Sequence, residues 1–134
     1  MRMSQSAAGR NFEDRVLKMF SDAGYWTYAM SNGPRGQPFD LMAVRDGRCI
    51  AIEVKHLAQP IFYSSRVETN QAVAIKYYMR RGNGAFFIFG DEAEQYIWRA
   101  DAVMAILDRQ KGFDVRLPPG ERLEGYLDEH GCGF

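Results

Sequence analysis

Apolar side chains recur at helical spacing near the start of the chain. Phe12, Val16 and Phe20 lie four positions apart, which places them on one face of an α-helix. This pattern predicts a helix from about Ser6 to Gly24, because glycine commonly ends a helix.

A second helix is predicted from Ser65 to Arg81. Ser65 is followed three residues later by Glu68, which is the spacing of a capping box at a helix start. Gly82 begins a Gly-Asn-Gly run that ends this helix. A third helix is predicted over Asp101–Gln110.

Runs rich in β-branched and aromatic residues predict strands between and after these helices. The predicted strands are Tyr25–Met30, Phe39–Val44, Cys49–Lys55, Ala85–Phe89 and Gln95–Arg99. Asp46-Gly47 predicts a hairpin turn, and the tail around Pro118-Pro119-Gly120 is expected to be irregular and partly mobile. The order of elements predicts an α/β domain with a mixed central sheet flanked by helices.

Composition restricts the class of protein. The 134 residues, of which 46% are hydrophobic, suffice for a single globular domain over residues 1–134. No apolar run is long enough for a membrane span, and no apolar signal-peptide core follows the N-terminus. The two cysteines, Cys49 and Cys132, lack metal-ligand spacing and suit a reducing, cytoplasmic setting; Cys49 is expected to be buried.

Charge is divided unevenly although the net charge is zero. Residues 1–90 carry 12 Lys and Arg against 7 Asp and Glu, whereas residues 91–134 carry 5 against 10. A basic first part favours a polyanionic partner, and the acidic second part is a candidate surface for a protein partner. No base-reading motif is present, so any DNA recognition is expected to depend on shape and backbone.

Candidate chemistry centres on two charged residues in one predicted strand. Alternation over residues 49–55 puts the apolar side chains on one face, and Glu53 and Lys55 on the other. Asp40, in the neighbouring strand of the hairpin, supplies a second carboxylate of the kind that Mg²⁺ binds, and a nearby lysine can hold water or stabilise phosphate charge. The alternative is a surface ion pair between Glu53 and Lys55, with Asp40 at a turn.

In the order and spacing of its motif residues, the chain resembles the PD-(D/E)XK nuclease superfamily. Within that superfamily it is most similar to the Holliday-junction resolvases of archaea, phages and Gram-positive bacteria. The similarity extends from Ala8 to Phe89 and is carried by Gly9–Glu13, Phe39–Leu41, Ile52–Lys55 and Gln71. It implies a restriction-endonuclease-like core over about residues 8–90, followed by a C-terminal extension over residues 91–134. Phe39 separates Pro38 from Asp40, whereas the family usually has proline next to the acid.

The resemblance implies a set of metal ligands for Mg²⁺, with Mn²⁺ as a substitute: Glu13, Asp40, Glu53 and the Val54 carbonyl. It also implies that Lys55 orients the attacking water and that Gln71 assists in positioning water or phosphate. Glu13 and Gln71 have a simpler interpretation as solvated helix side chains. The spacing of Gln71 with Ile75 and Tyr78 favours an inward-facing position.

DNA contacts are expected from a set of mostly basic residues: Arg10, Ser31, Arg35, His56, Arg66, Lys76, Arg80 and Arg81. Ser31 and Arg35 lie in a Gly-rich segment that resembles the resolvase loop approaching DNA. The alternative for Arg10 is an ion pair with Asp14, and the alternative for Ser31 and Arg35 is an ordinary flexible loop. His56 would then have no role in binding, and the other cations would lie on a solvated helix face.

The resemblance implies a metal-dependent endodeoxyribonuclease that resolves four-way junctions as a homodimer, because paired nicks need two active sites. Phe62-Tyr63 and Phe86–Phe89 are expected to contribute to an interface or to the core. Two alternatives are another repair or restriction-type nuclease with the same core, and a non-catalytic nucleic-acid-binding module that kept the fold.

Overall fold

The computed structural model describes residues 7–30 and 37–130. Ser31, Arg35 and Cys132 lie outside these residues. Within them, helices and strands alternate as expected for an α/β protein. In chain order the elements are α1 (Ala7–Asp22), β1 (Trp26–Ala29), β2 (Leu41–Arg45), β3 (Arg48–His56), β4 (Ile61–Tyr63), a 3₁₀ turn (Ser64–Arg66), α2 (Thr69–Arg80), β5 (Gly84–Gly90), β6 (Gln95–Arg99), α3 (Ala100–Leu107), β7 (Gly112–Asp114), β8 (Glu121–Arg122) and α4 (Leu123–His130).

Six strands form a mixed central sheet in the order β1-β2-β3-β5-β6-β8, and β4 pairs with β7 in a small separate sheet. β3 and β5 are parallel, and the other neighbours are antiparallel. The crossover between β3 and β5 carries β4 and α2. A parallel pair requires such a crossover, and α2 is thereby laid against one face of the sheet.

Both faces of the central sheet are covered. On one face, α1 and α4 pack on inward residues of β2, β3, β5 and β6. The buried helix residues are Phe12, Val16 and Phe20 of α1, and Leu123 and Leu127 of α4. On the other face, α2, α3 and the small sheet enclose an aromatic core whose buried residues include Phe62, Ile75, Phe87, Phe89, Trp98, Val103 and Phe113. Each strand of the centre therefore has two buried faces. No helix in the described part is long and apolar enough to cross a membrane.

The predicted hairpin and first helix end are confirmed. Asp46 and Gly47 both have positive φ, 51° and 77°, as a two-residue hairpin turn between β2 and β3 requires. Gly24, with φ of 94°, follows the end of α1.

The predicted capping box is wrong. α2 begins at Thr69, and its N-cap residue Glu68 makes no side-chain capping bond. β4 pairs with β7, and the Ser64 amide donates to the carbonyl of Lys111. The chain is therefore hydrogen-bonded to the small sheet as far as Ser64. Val67 is then extended, which delays the helix.

The prediction of an irregular tail holds for Pro118-Pro119-Gly120, which lies in a turn, and is wrong for the residues on either side of it. Gly112–Asp114 and Glu121–Arg122 are strands, and Leu123–His130 is a helix. Leu123 and Leu127 are buried, so this helix closes part of the core. β6 and β8 extend the central sheet, which makes residues after 90 part of the same fold.

Smaller differences concern boundaries and burial. The third helix ends at Leu107, and β2 begins at Leu41, so Asp40 immediately precedes the strand. Of the aromatic residues that sequence left between core and interface, Phe62, Phe87 and Phe89 are buried and Phe86 is partly so, whereas Tyr63 is exposed. Cys49 is half-buried rather than buried.

Candidate active site

The candidate site lies where β2 begins and β3 approaches its end. The Asp40 amide donates to the Ile52 carbonyl at 3.1 Å, and Leu41 is paired with Ile52. This register places Asp40 directly beside Glu53 on the neighbouring strand. Both carboxylates, together with Lys55, project from the sheet face that α2 covers.

The carboxylate of Asp40 is held at both oxygens. The side-chain amide of Gln37 donates to Oδ1, and the Val54 backbone amide donates to Oδ2 at 2.8 Å. Asp40 and Gln37 are both buried. These two donors fix the orientation of the Asp40 carboxylate.

Glu53 is the most deeply buried charged residue of the site, with 1% of its surface exposed. Lys55 Nζ lies 3.1 Å from Glu53 Oε2 as an ion pair, yet within the described residues neither Glu53 oxygen accepts a well-formed hydrogen bond. Burial raises the pKa of Glu53 well above its usual value, the charge of Asp40 raises it further, and Lys55 opposes both. A buried carboxylate that is stabilised by one ion pair and faces a second carboxylate is costly, and a bound cation would offset that cost.

Lys55 and Gln71 connect the site to α2. Lys55 Nζ donates to Gln71 Oε1 at 3.3 Å, and both side chains are buried. The predicted inward position of Gln71 is therefore what the structure shows. The alternative of a surface ion pair between Glu53 and Lys55 is excluded, because this pair is enclosed between sheet and helix.

Glu13 lies on a different element from this cluster. It is half-buried on α1, which packs on the opposite face of the sheet from α2. Across residues 7–30 and 37–130, no three His, Cys, Asp or Glu side chains form a group that could hold a metal ion. The oxygen donors that the structure does bring together are those of Asp40 and Glu53, which are of the hard type that Mg²⁺ prefers. The role of Glu13 stays a prediction.

The predicted DNA contacts are distributed over several elements. Arg10, Arg66, Lys76, Arg80 and Arg81 are exposed. Arg66 donates to the His56 carbonyl at 2.8 Å, and the guanidinium of Arg81 lies 4.3 Å from the centre of the Tyr77 ring. The His56 ring packs edge-on against Phe12 at 5.9 Å. The cationic groups of Lys76, Arg80 and Arg81 thus lie at the surface, where they are accessible to a ligand.

Sequence reasoning missed Gln37. It lies at the end of a Gly- and Pro-rich segment, where composition predicts an exposed loop. Its burial depends on Asp40 three residues later, and a glutamine before an acid carries no such signal by itself.

The mixed sheet and its flanking helices have the fold of a Holliday junction resolvase of known structure. Among solved structures, the chain is similar to the Holliday junction resolvase Hjc of the archaeal hyperthermophile Archaeoglobus fulgidus, with a TM-score of 0.65 and 20% sequence identity. The match covers 89% of this chain and 99% of the resolvase. The resemblance inferred from the sequence is thereby confirmed at the level of the fold. No protein-family model matches the sequence, and no curated protein does.

Proposed function

We propose that this chain is a metal-dependent endodeoxyribonuclease that cuts four-way DNA junctions. The observation that carries the proposal is the buried Glu53 carboxylate, which has Asp40 beside it and no well-formed hydrogen bond from the described residues. Two adjacent buried carboxylates repel each other, and a divalent cation bound at this site would relieve that repulsion. The resolvase fold around the pair supports a phosphodiester as the substrate.

Asp40 and Glu53 would hold Mg²⁺, with Mn²⁺ as a substitute. The N–H and C=O of one strand residue point to the same side, so the Val54 carbonyl lies on the side of β3 where its amide meets Asp40, and it is a further candidate ligand. Glu13 is a candidate ligand from α1. When bound, the cation would lower the pKa of water and neutralise phosphate charge.

Lys55 and Gln71 would position the reactants. Lys55 Nζ can donate to an attacking water or to a phosphate oxygen, and Gln71 holds that ammonium group through its Oε1. The water oxygen would lose a proton to solvent and bond to phosphorus as the bond from phosphorus to the 3′ oxygen breaks. The 3′ oxygen would take up a proton, which leaves a 5′-phosphate and a 3′-hydroxyl.

Exposed cations would place the DNA backbone along α2. Lys76 and Arg80 lie on the helix that also carries Gln71, and Arg81 caps its C-terminal end. Arg10, Arg66 and His56 are further candidates near the ends of α1 and β3. Such contacts bind phosphate without reading sequence. A homodimer is part of the proposal, because paired cuts across a junction require two copies of the site.

The decisive experiment compares cleavage of a synthetic four-way junction with cleavage of a linear duplex made from the same sequences, in Mg²⁺ and in Mn²⁺. We expect paired nicks in the junction, weak cleavage of the duplex, and no cleavage by the Glu53→Gln variant. Equal cleavage of both substrates would indicate another nuclease with this fold. Binding without cleavage in either metal would indicate a non-catalytic module.

A further inference from the structure

Two large aromatic side chains are exposed side by side on β1. Trp26 and Tyr28 are 60% and 50% exposed. Their rings are stacked, with centroids 6.0 Å apart and an interplanar angle of 13°. Clustered exposed aromatic surface usually marks a binding site, because leaving it in water is unfavourable.

These rings share a sheet face with the candidate active site. Trp26 is paired with Val44, and Tyr28 with Met42. Asp40 is two residues before Met42, so its side chain points to the same face. Tyr28 is thus a diagonal neighbour of Asp40, at a Cα separation of roughly 7–8 Å for such pairs. Since β1 is the outermost strand, the rings flank the cleavage site from the edge.

The surface beside the rings is basic and aromatic. Val44 is paired with Cys49, whose carbonyl accepts a hydrogen bond from the Tyr78 hydroxyl at 2.9 Å. The C-terminal half of α2 therefore lies over the sheet within two strands of Trp26. That half presents the exposed pair of Tyr77 and Arg81, and no acid occurs between Thr69 and Gly90.

We propose that Trp26 and Tyr28 form a stacking platform for unpaired bases beside the scissile phosphate; this inference rests on the proposed function. Bases stack on aromatic rings whatever their sequence, while cations follow the phosphates. The charge favours DNA over a second copy of this chain. In a two-fold dimer across this face, each basic patch would meet its own copy, whereas DNA neutralises it.

The test uses Trp26→Ala, Tyr28→Ala and the double variant, with Tyr63→Ala as the matched control. Tyr63 is exposed to a similar degree, 53%, but lies on β4 in the other sheet. The probes are a four-way junction and a single-stranded oligothymidylate, and binding is measured by fluorescence anisotropy without divalent metal. Each platform substitution should weaken binding about tenfold, and Tyr63→Ala should leave it unchanged.

A second readout is the fluorescence of Trp26. The only other tryptophan, Trp98, is 2% exposed, so acrylamide quenching reports mainly on Trp26. Either probe should protect Trp26 from acrylamide. Wild-type affinity in the double variant would overturn the platform and leave the nuclease proposal intact. Conversion of a dimer to a monomer by the double variant would show an interface between copies instead. Failure of the wild type to bind any DNA would overturn both proposals.

Discussion

The side-chain amide of Gln37 donates a hydrogen bond to Oδ1 of Asp40 and fixes one half of that carboxylate. The Val54 amide fixes the other half through Oδ2. The carboxylate plane is therefore set before any cation binds, and the two donors come from a loop and from the strand that carries Glu53. Preorganised ligands lower the cost of binding.

Removing the Gln37 amide should weaken metal binding. In Gln37→Leu the Asp40 carboxylate loses one donor and can rotate, so the Mn²⁺ dissociation constant measured by calorimetry should rise several-fold. Gln95→Leu is the matched control, because Gln95 is also buried and its side-chain amide donates to the carbonyls of Asp91 and Glu92, not to the carboxylates of the candidate site. Both variants should lose about 1 kcal/mol of stability. Equal metal affinity in the two would argue against a positioning role for Gln37.

The raised pKa of Glu53 predicts an opposite pH response in stability and in metal binding. Glu53 holds its proton more tightly in the folded protein than in the unfolded chain. Metal-free stability should therefore be full below the unfolded pKa and fall as pH rises through the folded pKa. Glu53→Gln has no such proton and should lack this fall, as thermal midpoints across the range would show.

Over the same pH range, Mn²⁺ affinity should rise for the wild type, because the cation competes with the proton on Glu53. The Glu53→Gln variant should bind Mn²⁺ weakly and with little pH dependence. A wild-type affinity that is flat with pH would contradict Glu53 as a ligand.

Replacing Lys55 should reduce the chemical step more than binding. Lys55→Met keeps much of the buried side-chain volume but removes the ammonium group, so the single-turnover cleavage rate should fall about 10²–10³-fold. Junction affinity should change little. In the proposed mechanism Gln71 acts by holding the Lys55 ammonium group, so Gln71→Leu should slow the wild type but scarcely slow Lys55→Met further. Additive losses would show that the two residues act separately.

The cations of α2 should control the salt dependence of DNA binding. Replacing Lys76, Arg80 or Arg81 with glutamine should weaken binding to all sequences alike. Each substitution that removes an ion pair with a phosphate should reduce the slope of log K against log salt by about 1. Arg109→Gln is the control, since Arg109 is exposed in the acidic C-terminal part. A slope that falls as much in the control would mean that the phosphate interactions are not specific to α2.

The last helix, α4, should contribute to the free energy of unfolding. Leu123 is fully buried, so Leu123→Ala should lower the free energy of unfolding by about 2–5 kcal/mol. Leu117 is 58% exposed, so Leu117→Ala should change the free energy of unfolding by less than about 0.5 kcal/mol. Urea denaturation of the two variants provides the comparison. Similar midpoints would show that α4 adds little to the fold.

Local patterns in the sequence were sufficient for much of the hairpin. Alternation over residues 49–55 and the Asp46-Gly47 turn specify which residues of β3 share a face with Glu53 and Lys55. The order of strands in the sheet was not accessible in this way, because pairing of β3 with β5 depends on contacts far apart in sequence. The sheet faces covered by α1 and α2 could therefore not be predicted, and neither could the fact that Gln71, unlike Glu13, lies on the face that carries Glu53 and Lys55.

Short elements account for most of the errors. β8 has two residues and α4 has eight, which is too few for a periodic pattern to stand out from loop composition. Their conformation is set by the burial of Leu123 and Leu127. The false helix start at Ser65 has a similar origin, since pairing of β4 with β7 overrides a local capping signal.

The parallel pairing of β3 with β5 has a consequence for how the protein folds. Five site residues precede β5 in the chain and are therefore synthesised before it: Gln37, Asp40, Glu53, Lys55 and Gln71. The first four belong to or adjoin a hairpin that can form locally. Lys55 meets Gln71 only when α2 docks, and docking requires β5 to align beside β3 across the intervening crossover. Closing that loop costs entropy before any contact compensates for it. Asp40, Glu53 and Lys55 should therefore come together before Gln71 reaches Lys55, so that the complete arrangement of the candidate site is among the last features that the nascent chain acquires.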